Sequence, residues 1–285
     1  MCSVNSKTRV FAVIGSPIEH SISPEIHNSS FSELKLNCIY VAYRVERLYL
    51  REAIEGFKAL SYSGVNVTIP HKIEVIGYLE EISPEARIIG AVNTIIFKNN
   101  RATGYNTDAT GALLALREAR IKVRNSKVII LGYGGAARAI AITLAMRGNI
   151  ESIAIAGRNV KKAGALAEDI KKLGLPAQSY SITGVENAIK DSNILINSTP
   201  VGMSPKTEET LITREKLHSE LAVMDIVYTP LETRLLKEAK KAGCRTVDGL
   251  GMLIQQAAEA ERLWLGVEPD ISVMRNAALK ALKLS

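Results

Sequence analysis

Three short stretches carry side chains suited to chemistry. GVNVTIPHK (64–72) has the β-branched density of a buried strand, yet it contains Asn66 and Thr68, is ended by Pro70 and delivers His71 and Lys72 just beyond. GYNTDATG (104–111) sets Asp108 ahead of a stretch that reads as helix, TGALLALREA. IILGYGGAARA (129–139) supplies strand, glycine turn and helix start, the order in which a dinucleotide site is built. Gly132 permits the tight turn and Gly134 lets the backbone approach a pyrophosphate. Small residues at 135–137 let helix and strand pack closely, with the helix N-terminus toward the phosphates. A glycine-rich turn without a ligand is the plain alternative.

The end of the following strand bears on the cofactor. A site selective for NAD usually carries an acidic residue there for the ribose 2′-hydroxyl. Here IAIA runs into Gly157-Arg158-Asn159, then Lys161 and Lys162. Arg158 can grip a 2′-phosphate through its planar fork, where a carboxylate would repel it, so NADP is favoured over NAD. A surface arginine at a helix start is the alternative, and the helix dipole makes that a slightly unfavourable place for it.

The other candidates are ambiguous one at a time. Ser21 and Ser23 lie in SPIEHSISP (16–24), after the first strand, and Ser23 is also a natural helix cap. Thr68 is ordinary strand composition, Lys72 alone reads as a solvated lysine, Asn93 as a turn residue and Asp108 as a helix N-cap.

These residues need a scaffold, and the pattern supplies one. Strands are expected at 7–15, 38–45 and 64–69, with helices at 24–36 and 48–60 and a hairpin over 91–106 turning at Asn99-Asn100. A second alternating series places strands at 126–132, 151–157, 193–199 and 222–227 around helices at 134–148 and 160–174. The stretch from about 250 onward reads as helix interrupted near GVEPD (266–270). Alternating β and α elements imply mostly parallel sheets flanked by helices. The economical division is two α/β units: residues 1–110 with 250–285, and a Rossmann-type unit at 111–249, with the C-terminal helices packing back on the first.

Composition narrows the class further. Hydrophobic residues make up 47% and charged residues 23%, the balance of a soluble globular chain. Apolar runs such as AIAITLAM are too short to cross a bilayer, and the N-terminal residues lack a signal-peptide core, so a cytoplasmic protein without a membrane partner is expected. The formal charge of +7 is spread along helices such as RLLKEAKKAGCR rather than gathered with aromatics, which argues against a nucleic-acid partner. Cys2, Cys38 and Cys244 are scattered and odd in number, so reduced thiols are expected, with neither a disulfide framework nor a metal site.

Taken together, SPIEHSISP, NVTIPHK, IGAVNT, GYNTD, LGYGGAARA, NSTPVGM, DIVYTPLET and DGLGMLIQQAA resemble the shikimate dehydrogenase family, in its order and along the whole chain. The resemblance implies an N-terminal α/β substrate domain, closed by C-terminal helices, plus a Rossmann NADP domain. It implies reversible reduction of 3-dehydroshikimate to shikimate in aromatic amino-acid biosynthesis. On the matching motifs, Ser21 and Ser23 would bind the substrate carboxylate, and Thr68, Asn93 and Asp108 would hold ring hydroxyls. Lys72 would stand beside the reacting oxygen, and Tyr228 and Gln256 would complete the substrate residues. Gly132, Tyr133, Gly134, Gly135, Ala136 and Arg158 would contact NADP, with Ile226 and Gly249 near its nicotinamide end. Two departures from the family's pattern stand out. Gly157-Arg158-Asn159 replaces its usual Asn-Arg-Thr, and Tyr133 replaces a usually small residue of the glycine turn.

Hydride transfer needs a proton at the carbonyl oxygen. A free lysine is an ammonium at neutral pH and donates rather than accepts. Lys72 is therefore expected to be the principal acid/base with Asp108 as its partner, and Pro70 to turn the chain so that Lys72 is aimed at the substrate. Asn66 is expected to serve local backbone bonding. The rivals are a quinate/shikimate dehydrogenase using NAD, which Arg158 disfavours, and a non-catalytic NADP- or shikimate-binding regulator, which Lys72 and Asp108 disfavour. A homodimer is the candidate assembly.

Overall fold

The computed structural model describes residues 4–283, so Cys2 lies outside the described residues. The chain forms two compact units. The first runs to Asp108 and resumes at Ile254, and the second spans Ala109–Leu253.

In the first unit the order is β1 (Arg9–Gly15), α1 (Ser23–Glu33), β2 (Cys38–Arg44), α2 (Leu50–Ala59), β3 (Gly64–Val67), β4 (Glu81–Ile82), α3 (Pro84–Ile89), β5 (Thr94–Lys98) and β6 (Arg101–Tyr105). Helix α4 (Asp108–Glu118) carries the chain into the second unit, where β7 (Lys127–Leu131), α5 (Gly135–Arg147), β8 (Ser152–Gly157), α6 (Val160–Lys172), β9 (Ala177–Ser181) and α7 (Glu186–Lys190) follow. Then come β10 (Ile194–Asn197), β11 (Ala222–Asp225), α8 (Arg234–Lys241) and β12 (Arg245–Val247). Helix α9 (Gly249–Leu265) returns the chain to the first unit, which α10 (Ile271–Ala281) completes.

The first sheet has the order β2-β1-β3-β5-β6-β4. Strands β2, β1 and β3 are parallel, while β5 and β6 form the antiparallel hairpin expected at Asn99-Asn100. Both turn residues have positive φ, 52° and 57°, as a type I′ turn requires. Strand β1 is covered on both faces, and its alternation sorts the core. Phe11 and Val13 pack with Phe31, Tyr40 and Trp264, whereas Ala12 and Ile14 pack with Leu50, Ile54 and Phe57 of α2. Each such large side chain withdrawn from water contributes about 1.5–3 kcal/mol.

Helix α1 begins at its expected cap, one residue earlier than expected. Ile22 holds the cap position without a side-chain hydrogen bond, and Ser23 is the first helical residue. The expected capping role of Ser23 is therefore corrected. The Ser23 N–H is met instead by the Ser21 Oγ at 3.4 Å, and Pro24 has no N–H to satisfy. Deeper in α1, His27 Nδ1 lies 2.7 Å from Glu261 Oε1, with both side chains fully buried, and Ser30 donates to the other carboxylate oxygen at 2.6 Å. The His27 ring stacks on Tyr40 with centroids 4.2 Å apart. A buried carboxylate is tolerated here because it has partners.

The second sheet is wholly parallel in the order β12-β11-β10-β7-β8-β9. This is the doubly wound dinucleotide-binding order, with its switch point between β7 and β10. Ile129 and Leu131 of β7 pack with Leu195, Val223, Leu235 and Leu236 on one face.

The Trp264 indole lies where Gly64 has no side chain. A Cβ there would stand 2.2 Å from its Nε1, which donates to the Ile95 carbonyl at 3.0 Å. Gly64→Ala is expected to lower unfolding stability by about 1–3 kcal/mol. Urea unfolding followed by the emission of Trp264, the single tryptophan, reads this directly, and unchanged stability would show that the indole yields freely.

Candidate active site

Lys72 sits at the C-terminal end of the parallel part of the first sheet, in a turn that the core anchors. The His71 N–H donates to the Thr68 carbonyl at 2.9 Å, and the buried His71 ring holds the Val45 carbonyl through Nε2 at 2.7 Å. The Thr68–His71 turn and the His71 anchor thus fix the segment, with Pro70 exposed at its apex. Thr68 packs against Gly15 at the end of β1, where a Cβ would meet its Cγ2 at 2.5 Å. The Thr68 N–H donates to the Ile14 carbonyl, bringing the loops after β1 and β3 side by side. Ser21 and Ser23 follow on the β1 side, Ser21 half-buried and Ser23 buried.

The Lys72 Nζ donates to Asp108 Oδ2 at 2.5 Å, with 13% and 6% of the two side chains exposed. Asp108 opens α4, and its other oxygen accepts from Asn93 Nδ2 at 2.9 Å. The Asn93 amide also approaches Thr107 Oγ1 at 3.0 Å and Gln256 Oε1 at 3.4 Å. Its Oδ1 accepts from the Thr107 N–H at 2.7 Å and from the Thr94 hydroxyl at 3.0 Å. The structure thus gathers Lys72, Asn93, Asp108 and Gln256 into one hydrogen-bonded group.

Sequence reading missed what stands behind that group. Asn66 does reach a backbone carbonyl, that of Asn93 at 3.1 Å, but it also donates to Thr94 Oγ1 at 3.0 Å and accepts from the Tyr40 hydroxyl at 2.7 Å. Tyr40 is itself fixed by a reciprocal pair with Asn28, at 2.9 and 2.8 Å. The available signal was Asn66 itself, a full amide in the middle of a buried strand.

In the second unit, β7 ends at the glycine turn. Gly132 has φ +119°, and a Cβ there would meet Ser198 Oγ at 3.0 Å, so both conformation and space call for glycine. Gly134 precedes α5 at the cap position without a side-chain cap bond, and a Cβ on it would point into open space. Gly135 and Ala136 begin the helix. The turn therefore leaves the first N–H groups of α5 to an external acceptor, which fits a dinucleotide pyrophosphate. Arg158 is exposed between β8 and α6, and Asn159 caps α6 by accepting the Lys162 N–H at 3.1 Å.

Strand β11 ends on Asp225, which is fully buried. Its Oδ1 accepts from Asn197 Nδ2 at 2.9 Å and the Val227 N–H at 3.0 Å, and its Oδ2 from the Thr233 hydroxyl at 2.7 Å. These bonds fix the segment holding Ile226 and Tyr228. Gly249 packs on that segment so closely that a Cβ would stand 2.4 Å from the Ile226 carbonyl oxygen. Burial pushes the Asp225 carboxyl up to about 6 despite the three donors. Among the described residues no cluster is arranged to hold a metal ion, and no helix is long and apolar enough to cross a membrane.

A doubly wound parallel sheet with a glycine-turn phosphate site, in one chain with an α/β unit presenting a lysine–carboxylate pair, defines a two-unit dinucleotide-dependent oxidoreductase. Comparison with known proteins makes the class specific. The family model described as shikimate dehydrogenase substrate binding domain matches residues 13–95, that for shikimate / quinate 5-dehydrogenase residues 114–250, and that for the shikimate 5'-dehydrogenase C-terminal domain residues 249–279. Shikimate dehydrogenase (NADP(+)) of Methanocaldococcus jannaschii is 48% identical over 97% of this chain and 98% of its own. The enzyme of the same name from Methanosarcina acetivorans is 48% identical over 96% and 99%. A crystal structure of shikimate dehydrogenase in complex with NADP+ superposes with a TM-score of 0.92 at 46% identity, covering 99% of this chain and 98% of that one. The chain belongs to the shikimate dehydrogenase family.

The elevated Asp225 pKa sets a pH dependence. The folded form holds its proton to about pH 6, against 3.8 for an ordinary aspartate. Its contribution is present in full below about pH 4 and is lost as pH rises through 6. The stability of wild type relative to Asp225→Asn should therefore fall by about 2–3 kcal/mol between pH 4 and 7. Parallel denaturant titrations of the two proteins measure it, and a difference independent of pH would refute the assignment.

Proposed function

We infer that this protein catalyses the reversible NADPH-dependent reduction of 3-dehydroshikimate to shikimate, on the route to chorismate and the aromatic amino acids. The observation that carries the reading in this molecule is the Lys72–Asp108 pair at the end of the first sheet. Bound NADPH supplies the hydride that the carbonyl carbon receives. The rest of the work falls to the chain.

A lysine ammonium has three N–H donors, and one is committed to Asp108. The others can polarise the substrate carbonyl and deliver a proton as it becomes an alkoxide. Each Asp108 oxygen has a lone pair beyond those engaged by Asn93 and Lys72, so the carboxylate can accept from a ring hydroxyl while it orients the ammonium. Asn93, Thr68 and Gln256 are proposed to hold ring hydroxyls, and Ser21 and Ser23 the substrate carboxylate, with Tyr228 assigned to the substrate on the family resemblance. Gly132 to Ala136 are proposed to receive the pyrophosphate, Arg158 the 2′-phosphate, and Ile226 with Gly249 the nicotinamide. A cytoplasmic location fits cysteines that are scattered and odd in number, and a homodimer is the assembly to be tested by light scattering.

The test is NADPH appearance from shikimate, run against quinate and with NAD+ in place of NADP+. Shikimate with NADP+ should give the highest kcat/KM. Preference for quinate with NAD+ would move the assignment to a quinate dehydrogenase, and a flat trace from folded protein would favour a binding regulator. Lys72→Ala should lower kcat by about 10²–10⁴ with a much smaller change in KM. Near-normal turnover in that variant would remove Lys72 from the chemistry.

A further inference from the structure

The glycine turn after β7 and the end of β8 meet through one side chain. A Cβ built on Gly157 would stand 2.5 Å from both Cδ1 and Cε1 of Tyr133. The tyrosine ring therefore fills the volume that a side chain at 157 would take. Gly157 does not have the positive φ that demands glycine, in contrast to Gly132. What excludes a side chain at the end of β8 is the ring and not the backbone. Gly157 is buried, while Tyr133 is half-buried.

The placement matters because of the sheet order. Dinucleotides lie across the C-terminal ends of the strands at the switch point, with the pyrophosphate over the turn after the first strand and the adenosine ribose at the end of the next. Here those strands are β7 and β8. Tyr133 stands between Gly132 and Gly134 in that turn, and its ring reaches Gly157, the residue before Arg158. We propose that the Tyr133 ring is a wall of the adenosine-ribose subsite of NADP(H), standing in for the side chain that Gly157 lacks. The inference rests on the NADP-dependent reading above. An apolar ring edge there packs against the sugar and leaves recognition of the 2′-phosphate to Arg158. A ring at 133 and a side chain at 157 compete for the same space.

The test is calorimetric binding of 2′,5′-ADP and NADP+ to the full-length protein, with thermal unfolding as the control for folding. Tyr133→Ala should weaken both ligands about tenfold, and Tyr133→Phe should stay within about twofold of wild type. Gly157→Asn should weaken both by about tenfold or more, because its side chain and the ring collide. Tyr133→Ala combined with Gly157→Asn should recover most of that loss. Unchanged affinity in Tyr133→Ala, equal losses in the Phe and Ala variants, or a double variant no better than Gly157→Asn would each overturn the proposal. Wild-type protein that binds neither ligand would overturn the NADP reading itself.

Discussion

A carboxylate taken out of water must be surrounded by donors, and the first unit is organised around meeting that demand at Asp108. It is 4% exposed, and its two oxygens are met by Lys72 and Asn93. Asn93 in turn is held by Thr94 and Thr107, and Asn66 by Tyr40 and Thr94. Tyr40 is fixed by Asn28 and stacked on His27, which is bound to Glu261. The Lys72–Asp108 pair is thus tied by successive hydrogen bonds, and one ring stack, to the packing of α1 and α9 against the sheet. Polar chains of this kind are costly when half satisfied and rigid when complete, so the same bonds that make burial tolerable also fix where the ammonium points.

The second unit meets a different requirement by removing side chains. Gly132 and Gly134 clear the approach to the helix N-terminus, and Gly249 lets α9 begin against the Ile226 carbonyl. Where that unit does bury a charge-bearing group, at Asp225, the group braces a loop: its acceptors take one side-chain amide, one backbone N–H and one hydroxyl. One unit positions a charged pair through side-chain bonds. The other presents backbone donors by leaving space in front of them.

Much of this was legible in the sequence. The strand and helix alternation, the Asn99-Asn100 turn and the glycine loop each follow from local rules that tertiary context did not override. The short elements β4, β9, β12 and α7 escaped because EI, AQSYS, RTV and ENAIK lack the apolar runs that made the similarly short β10 and β11 readable. Helix α3 was missed although its signals are present: Ser83 caps it, Pro84 starts it and Gly90 ends it in a left-handed turn. Ser23 misled because it has the right type for a cap, yet the preceding turn places Ile22 there. Asp225 and Tyr40 were invisible for another reason. Their partners, Asn197 and Thr233 for one and Asn66 for the other, lie in different elements, and only folding makes them neighbours.

The geometry of the pair also bears on selectivity. Lys72 offers its remaining donors, and Asp108 its remaining acceptor sites, from heavy atoms 2.5 Å apart. On the proposed roles, a substrate would complete both sets by carrying two oxygens on neighbouring ring carbons, one a carbonyl or alkoxide facing the ammonium and the other a hydroxyl facing the carboxylate. A ring lacking the second oxygen would leave a buried carboxylate acceptor without its partner, a penalty that apolar contacts elsewhere do not offset. Because Asn93 and Lys72 already hold the carboxylate, it cannot rotate away to find water. On the proposed roles, discrimination would follow from the immobility of Asp108, the same property that would orient the proton donor.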